Sequence, residues 1–119
     1  MEKDKAFAET ARKIDEALEF INQNYAGEIT RDKIAEKIGL SPDYVGKIFK
    51  IHKGKSFNDY INELYIKRSM KLLTETDLKV HVIAFKAGFK SIRTFNRIFY
   101  RVVGETPTEF RNRNYFKQV

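Results

Sequence analysis

The stretch 88–99, GFKSIRTFNRIF, decides the fold of this chain. Within it Phe95, Ile98 and Phe99 recur at the i, i+3, i+4 spacing, and Val102 follows at i+7. This is the spacing of a helix that buries one face. The sequence therefore predicts an amphipathic helix here, with these four side chains directed into a core.

The other face of this predicted helix is polar and basic. It carries Arg93, Asn96 and Arg97, whose long or forked side chains can pair with base edges and phosphates. A shorter apolar helix is predicted just before it, from Val80 to Ala87, and Gly88 ends that helix. Two short helices around a glycine turn, the second of them basic, indicate a helix-turn-helix.

The composition is that of a small, basic, helical domain. A length of 119 residues allows one domain, or two very small subdomains that share a core. The chain has 10 Phe, 6 Tyr and no Trp, so aromatic packing should dominate the core. Only 2 Pro and 6 Gly leave little room for a turn-rich all-β fold. A net charge of +7 favours a polyanion or an acidic membrane surface as partner, and a charge that serves only solubility is the alternative.

Several kinds of chemistry are excluded or disfavoured by what the sequence lacks. There is no cysteine, so disulfides, cysteine-bound zinc and thiol catalysis are excluded. No apolar run approaches the roughly 20 residues that span a bilayer, and the N-terminus has no secretory signal, so we expect a cytoplasmic protein. The two histidines, His52 and His81, lie in no metal-spaced cluster, and no acidic residue is placed to orient either one. We expect neither an enzyme nor a bound cofactor or metal.

Helix boundaries follow from apolar spacing and from capping residues. Apolar residues repeat helically from Ile14, and Gly27 is expected to cap the end of that first helix. The last helix is expected to be short and to end near Phe110, with a mobile basic tail beyond it. Five residues are expected to cap helix N-termini: Thr30, Ser41, Ser56, Ser91 and Thr106.

The predicted organisation is all-α, with two helix-turn-helix subdomains joined by a long linker helix. Residues 1–12 are a polar linker or the frayed start of the first helix, residues 13–112 are the double helix-turn-helix domain, and residues 113–119 are the basic tail. Within the domain, the first unit covers about 30–52, the linker helix about 56–74 and the second unit about 79–103.

An internal repeat indicates another helix-turn-helix in the first half of the chain. Ile34 corresponds to Ile83 and Phe49 to Phe99, at offsets of 49 and 50 residues. The first unit therefore has its own second helix, from Pro42 to about His52. If the two second helices lie about 34 Å apart, they would enter successive major grooves on one face of double-stranded DNA. A single chain would then read two adjacent subsites.

These motifs resemble the DNA-binding domain of the AraC/XylS family of bacterial transcription regulators. The resemblance covers about residues 14–112. It implies seven helices, of which the third and sixth read DNA. The segments that carry it are IAEKIGLSPDYVGKIFK (34–50), GKSFNDYI (54–61), KLLTETDLKVHVIAFKAGFKS (71–91), the phenylalanines of the sixth helix and GETPTEFR (104–111).

The resemblance also implies which side chains face the bases. Gly46 lies where the family commonly has a polar reader, so we expect the second unit to carry most of the specificity. Ile51 and Tyr65 likewise replace residues that are usually basic. Asn96 would read adenine or touch the backbone, and Ile92 would meet a thymine methyl or pack in the turn. The implied base readers are Pro42, Asp43, Gly46 and Lys47 in the first unit, and Ile92, Arg93, Asn96 and Arg97 in the second.

Residues that flank the predicted readers are candidates for phosphate contacts. Each lysine or arginine among them is alternatively a solvated side chain. Thr30 and Ser91 are expected to act mainly as helix caps, with phosphate contact from the helix N-terminus as a second role. The candidates are Thr30, Tyr44, Lys50, Lys53, Lys55, Lys90, Ser91, Tyr100 and Arg101.

The leading functional hypothesis is sequence-specific binding of double-stranded DNA by a bacterial transcription regulator. The alternative is a helical protein–protein module that contacts RNA polymerase or a partner regulator, which would expose an apolar patch in place of a basic face. The family usually carries a sensing, dimerisation or receiver domain ahead of this one. We expect such a domain to be absent from this chain, with the polar residues 1–12 as the linker to it.

Overall fold

A computed structural model describes residues 2–24 and 29–118, and this part of the chain forms seven α-helices with no β-strand. The predicted all-α fold with two helix-turn-helix units is confirmed: α2 and α3 form the first unit, and α5 and α6 the second. None of these helices is long and apolar enough to cross a membrane. The helices are α1 (Glu2–Asn24), α2 (Arg31–Ile38), α3 (Pro42–Lys53), α4 (Phe57–Glu75), α5 (Val80–Ala87), α6 (Ile92–Val103) and α7 (Pro107–Gln118).

The helices are grouped into two compact parts of the chain, Met1–Ile61 and Asn62–Val119, and the boundary falls within α4. Each part contains one helix-turn-helix, and the two parts are called the first and the second unit. In the first unit the core lies between α1, α2 and α3. The Phe49 ring is fully buried there and packs edge-on against Phe57 and Tyr60, with 5.1 Å between ring centroids in each pair. The other buried apolar residues of this unit are Ala11, Ile14, Ala17, Leu18, Ile29, Ile34, Ala35, Val45, Ile48 and Ile61.

A row of aromatic rings runs through the core of the second unit. Neighbouring ring centroids lie 5.3–5.7 Å apart, from Tyr65 through Phe89, Phe95 and Phe99 to Phe110. This is the range in which offset or edge-on ring pairs attract each other. The expectation of an aromatic core is therefore confirmed for this unit, and the two phenylalanines of α6 lie at its centre.

Hydroxyl side chains cap the N-termini of five helices, as predicted. Thr30, Ser41, Ser56, Ser91 and Thr106 each accept a hydrogen bond from the backbone amide three residues on, at 3.1–3.2 Å. At the start of α7 the Glu109 carboxylate in turn accepts a hydrogen bond from the Thr106 amide at 3.0 Å. This reciprocal pair is a capping box, which satisfies two amides that would otherwise lack partners.

Two details of the predicted helices need correction: the burial of Val102 and the end of the last helix. Residues 2–12, predicted as a linker or the start of the first helix, lie within α1. Val102 is 43% exposed, because the core contact of α6 ends at Phe99, whose ring packs on Phe110 of α7. The prediction that the last helix ends near Phe110 is wrong, since α7 continues to Gln118. Gly27, the expected cap of the first helix, lies outside the described residues.

The length of α7 has a local explanation. No glycine or proline follows Pro107, so nothing in the sequence breaks the helix. The Arg111 guanidinium donates to the carbonyl oxygens of Leu73 and Thr76, both at 3.1 Å, and thereby fastens α7 to the C-terminal end of α4. A cation at the end of a helix is also favourable, because the helix dipole places partial negative charge there.

Candidate nucleic-acid interface

The exposed face of α6 carries the predicted readers of the second unit. Phe95, Ile98 and Phe99 are fully buried, so helical geometry directs the side chains between them outward. Arg93 and Arg97 are both exposed, and neither forms an ion pair with any residue that the structure describes. The structure thus brings together the predicted readers of the second unit on the exposed side of α6: the apolar Ile92 and the polar Arg93, Asn96 and Arg97.

The start of α6 is fixed by a capping serine. The Ser91 hydroxyl accepts from the Thr94 amide at 3.1 Å and lies 2.8 Å from the Thr94 hydroxyl. Ile92 is 38% exposed at the first position of the helix, so it is available to solvent and is not packed into the turn. The first turn of α6 therefore presents free backbone amides, and these can approach an anion.

The exposed face of α3 lines a shallow groove in the first unit. Asp43, Lys47 and Lys50 are exposed along it, while Pro42 is half-buried at the first position of the helix. The groove has a volume of about 600 Å³ and reaches the start of α4 at Ser56. The side chain of Ile51, an apolar residue next to Lys50, is 69% exposed. This face is less basic than that of α6.

Arg31 also lines this groove, and sequence reasoning missed it. Its guanidinium comes from the first residue of α2 and forms an ion pair with Asp43, with 3.8 Å between Nη2 and Oδ1. A β-carbon added to Gly46 would lie 3.0 Å from Arg31 Nη1. The helical pattern of the sequence does not identify Arg31 as a groove residue, because its side chain lies beside Gly46, which is 15 residues further along the chain.

Most of the predicted phosphate contacts lie at exposed or half-exposed positions. Thr30 and Ser91 are engaged as helix caps, and their hydroxyls accept backbone bonds. Tyr44 is 39% exposed. The remaining exposed or partly exposed candidates are Lys50, Lys55, Lys90, Tyr100 and Arg101.

Lys53 differs from the other candidates because its charge is already paired. Its Nζ lies 2.6 Å from Asp15 Oδ1, and the side chain is only 23% exposed. The same ammonium lies 5.4 Å from the ring centroid of Tyr60, at a distance compatible with a cation–π contact. Lys53 thus joins the end of α3 to α1, and we remove it from the set of phosphate contacts.

The same aspartate corrects the expectation for His52. No acidic residue was expected to orient either histidine, but Asp15 Oδ2 lies 2.9 Å from His52 Nε2. The two residues are 37 positions apart, so the pairing follows from the packing of α1 on α3 and has no local signal. The part of the chain that the structure describes contains no group of three or more metal-binding side chains. We therefore interpret Asp15, His52 and Lys53 as a structural cluster.

Replacing Asp15 by asparagine is expected to remove a pH-dependent part of the stability of the first unit. Burial alone would raise the pKa of Asp15, but hydrogen bonds from Lys53 and His52 outweigh burial and lower the pKa. The stabilisation is then fully present above the pKa in the unfolded chain, about 3.9, and is lost as the pH falls through the lower pKa of the folded state.

Thermal unfolding at several pH values between about 3 and 7 measures this effect. At neutral pH the Asp15→Asn variant should unfold at a lower temperature than the natural protein, and the difference should shrink below about pH 4. Glu36→Gln, at an exposed position of α2, is the matched control and should show no such convergence. A difference that stays constant across the pH range would contradict the role of the Asp15 carboxylate.

Comparisons with known proteins agree with this architecture. Residues 34–113 match the family described as "Helix-turn-helix domain". The chain is 32% identical over 101 residues to YijO, an uncharacterized HTH-type transcriptional regulator of Escherichia coli K12, and the match covers 85% of this chain and 35% of that protein. It spans only 13–35% of the length of three curated relatives that it matches.

Two solved structures share the fold. A transcriptional regulator of Chromobacterium violaceum, described as AraC-type, is 27% identical with a TM-score of 0.78, and the match covers 90% of this chain and 96% of that one. The C-terminal domain of the response regulator yesN of Fusobacterium nucleatum is 28% identical with a TM-score of 0.73, and the match covers 82% and 95% of the two chains. The paired helix-turn-helix units and the family match over residues 34–113 lead to one conclusion: the chain belongs to the AraC-type family of helix-turn-helix DNA-binding domains.

Proposed function

We propose that this chain binds specific sequences of double-stranded DNA for a bacterial transcription regulator, with α3 and α6 in successive major grooves. The exposed face of α6 supports the proposal most strongly. It presents Arg93, Asn96 and Arg97 side by side, while the apolar face of the same helix is buried. An α-helix with this distribution fits the major groove, where base edges carry a distinct pattern of donors and acceptors.

The readers have separate roles in this proposal. Arg93 and Arg97 donate to the O6 and N7 atoms of guanine, and Asn96 pairs with adenine or with the backbone. Ile92 meets a thymine methyl, since its side chain is exposed. In the first unit, Lys47 is the cationic reader of α3, and Pro42, Asp43 and Gly46 form the surface next to it. Specificity is expected to come mainly from α6.

Affinity in this proposal comes largely from phosphate contacts, which carry no sequence information. The residues assigned to them border the reader faces of α3 and α6. The helix N-termini at Thr30 and Ser91 add backbone amides, which favour anions. The proposed set is Thr30, Tyr44, Lys50, Lys55, Lys90, Ser91, Tyr100 and Arg101.

The proposed setting is a larger regulator in the bacterial cytoplasm. Curated relatives of the chain are longer proteins, and one structural relative is the C-terminal domain of a response regulator. We propose a sensing, dimerisation or receiver domain as the partner on the N-terminal side, and RNA polymerase as a protein partner at the promoter. The proposal assigns no enzymatic activity to this chain.

A binding assay against a pool of random DNA sequences tests the proposal. The chain should enrich a short sequence with two adjacent subsites, and affinity should fall steeply between about 50 and 200 mM salt. A protein–protein module would enrich no sequence and would show no such preference at either salt concentration. The enriched sequence is then the cognate site on which the affinities of variants are measured.

Lys50→Ala is expected to weaken binding to cognate and random DNA by the same factor. The side chain is exposed at the C-terminal part of α3, where it would contact a phosphate and release one counterion. The slope of log affinity against log salt concentration should therefore decrease by about 1. Lys13→Ala is the control, because Lys13 pairs with Glu9 on α1 at 3.7 Å and should leave the slope unchanged. A selective loss of cognate binding in Lys50→Ala would contradict the phosphate assignment.

A further inference from the structure

The Arg31 side chain crosses the exposed face of α3 at its only glycine. A β-carbon on Gly46 would lie 3.0 Å from Arg31 Nη1 and 3.4 Å from Cδ, so the arginine occupies the volume that a longer residue at this position would need. The contact depends on glycine, because any other residue would require the arginine to move. Arg31 and Gly46 therefore act as one composite position on the surface of the helix.

This composite position borders the reader face: Gly46 is half-buried, and the Arg31 guanidinium extends from it toward the exposed Asp43. Asp43 lies one turn before Gly46 and Lys50 one turn after it, and both are exposed. Val45 and Phe49 are fully buried, one residue before and one turn after Gly46, so position 46 lies between the buried and the exposed face of α3. The guanidinium reaches Asp43 on the exposed side, and a donor that lies beside a reader residue can meet base edges when the helix enters the major groove.

The guanidinium is held in place but remains accessible. Its Nη2 lies 3.8 Å from Asp43 Oδ1, and the Arg31 side chain is 45% exposed. At its other end, Arg31 follows the capping residue Thr30, so its backbone is fixed at the first position of α2. Asp43 is 94% exposed and would repel phosphate by itself, but the neighbouring guanidinium offsets its charge.

We infer that Arg31 is a base-reading residue of the first helix-turn-helix and that it recognises guanine across Gly46. This inference rests on the proposed DNA-binding function and adds a specificity determinant that lies outside the reader helix. The planar guanidinium can donate two parallel hydrogen bonds to guanine O6 and N7. Asp43 is the positioning residue, since it limits the orientations of the guanidinium before DNA arrives.

Arg31→Ala tests the inference on the enriched DNA sequence. Affinity is measured for that sequence and for each of its single base-pair replacements. The variant should lose about tenfold in preference for guanine at one position, within the subsite that Arg97→Ala leaves unaffected. Arg12→Ala is the matched control, because Arg12 forms an exposed ion pair with Glu16 on α1 at 2.7 Å. It removes the same charge from the same unit and should leave every base preference unchanged.

Gly46→Ala provides a second test that does not remove the arginine. The added β-carbon should shift the guanidinium by a few tenths of an ångström and weaken the same guanine preference, while alanine raises the thermal stability of the helix. In the Arg31→Ala background, Gly46→Ala should have no further effect on that preference, because both changes disrupt one contact. Lost specificity in a more stable protein cannot result from unfolding.

The results separate three cases. If Arg31→Ala weakens binding to all sequences equally and leaves the guanine preference intact, Arg31 contacts phosphate and the inference is wrong. If Gly46→Ala and Arg31→Ala change different base positions, the composite position is wrong. If the natural protein and Arg12→Ala enrich no sequence at all, the proposed function itself fails, and the inference fails with it.

Discussion

Replacing Gly88 by alanine should lower the free energy of unfolding of the second unit by about 2–5 kcal/mol. Gly88 has a φ of +124°, which costs a residue with a β-carbon roughly 1–2 kcal/mol. The added β-carbon would also lie 2.6 Å from Cε1 and 2.7 Å from Cζ of Tyr65. The Tyr65 ring is 95% buried and packs against Phe89, so it has little room to move, and overpacking of this kind typically costs about 1–3 kcal/mol.

Gly104→Ala separates the contribution of backbone strain from that of the steric clash. Gly104 lies in the same unit with a φ of +89°. Its two chain neighbours aside, no atom of the residues that the structure describes lies within 4 Å of the position of its added β-carbon. The free energy of unfolding of Gly104→Ala should therefore fall only by the cost of the backbone conformation, about 1–2 kcal/mol. Hydrogen exchange at the amides of Phe95 and Phe99 reports the stability of this unit directly. Equal losses in the two variants would show that Tyr65 does not restrict the turn.

Tyr65→Leu should rescue part of the Gly88→Ala loss. Leucine is shorter and lacks the ring atoms that the new β-carbon would meet, so the steric clash disappears, although the packing on Phe89 is weakened. The double variant should be more stable than the sum of the two single losses predicts, as expected for residues in direct contact. Strictly additive losses would contradict a shared contact between Gly88 and Tyr65.

Local signals in the sequence predicted most of the fold. The capping hydroxyls, Gly88 at the end of α5 and the spacing of the buried residues of α6 up to Phe99 each depend on residues within one or two turns, and the structure confirms them. Ser91 caps α6 as expected, and Phe95, Ile98 and Phe99 are buried as expected. The repeat between the two halves predicted the first helix-turn-helix by comparison with the second. The roles of the exposed side chains toward DNA stay predictions.

Contacts between distant residues could not be predicted in this way. Asp15 meets His52 and Lys53 only because α1 packs on α3, and no pattern links residues so far apart. The departure at Tyr65 was visible in the sequence, but its partner Gly88 depends on the packing of α4 against the turn of the second unit. Arg31 was overlooked for the same reason. Contacts between side chains of different helices can be identified only from the structure.

Arg97→Ala is expected to cost about 1–3 kcal/mol on the cognate sequence, or roughly 5- to 150-fold in affinity. The side chain is exposed on α6 between the buried Phe95 and Ile98, and no residue in the described ranges neutralises its charge. Its guanidinium is therefore free to donate two hydrogen bonds to guanine. Removing it should relax the preference at one base pair and leave the fold intact, since the side chain contributes nothing to the core.

Arg113→Ala is the matched control for this experiment. Arg113 belongs to the same unit, but its Nε donates to Glu105 Oε1 at 3.1 Å, so its charge is already paired. It should change affinity for cognate and random DNA by the same small factor. Comparison of affinities for the cognate sequence, its single base-pair replacements and random DNA then isolates base reading from net charge. If Arg97→Ala lowers affinity for all of these sequences by one common factor, Arg97 contacts phosphate, and the specificity assigned to α6 must come from Arg93 and Asn96.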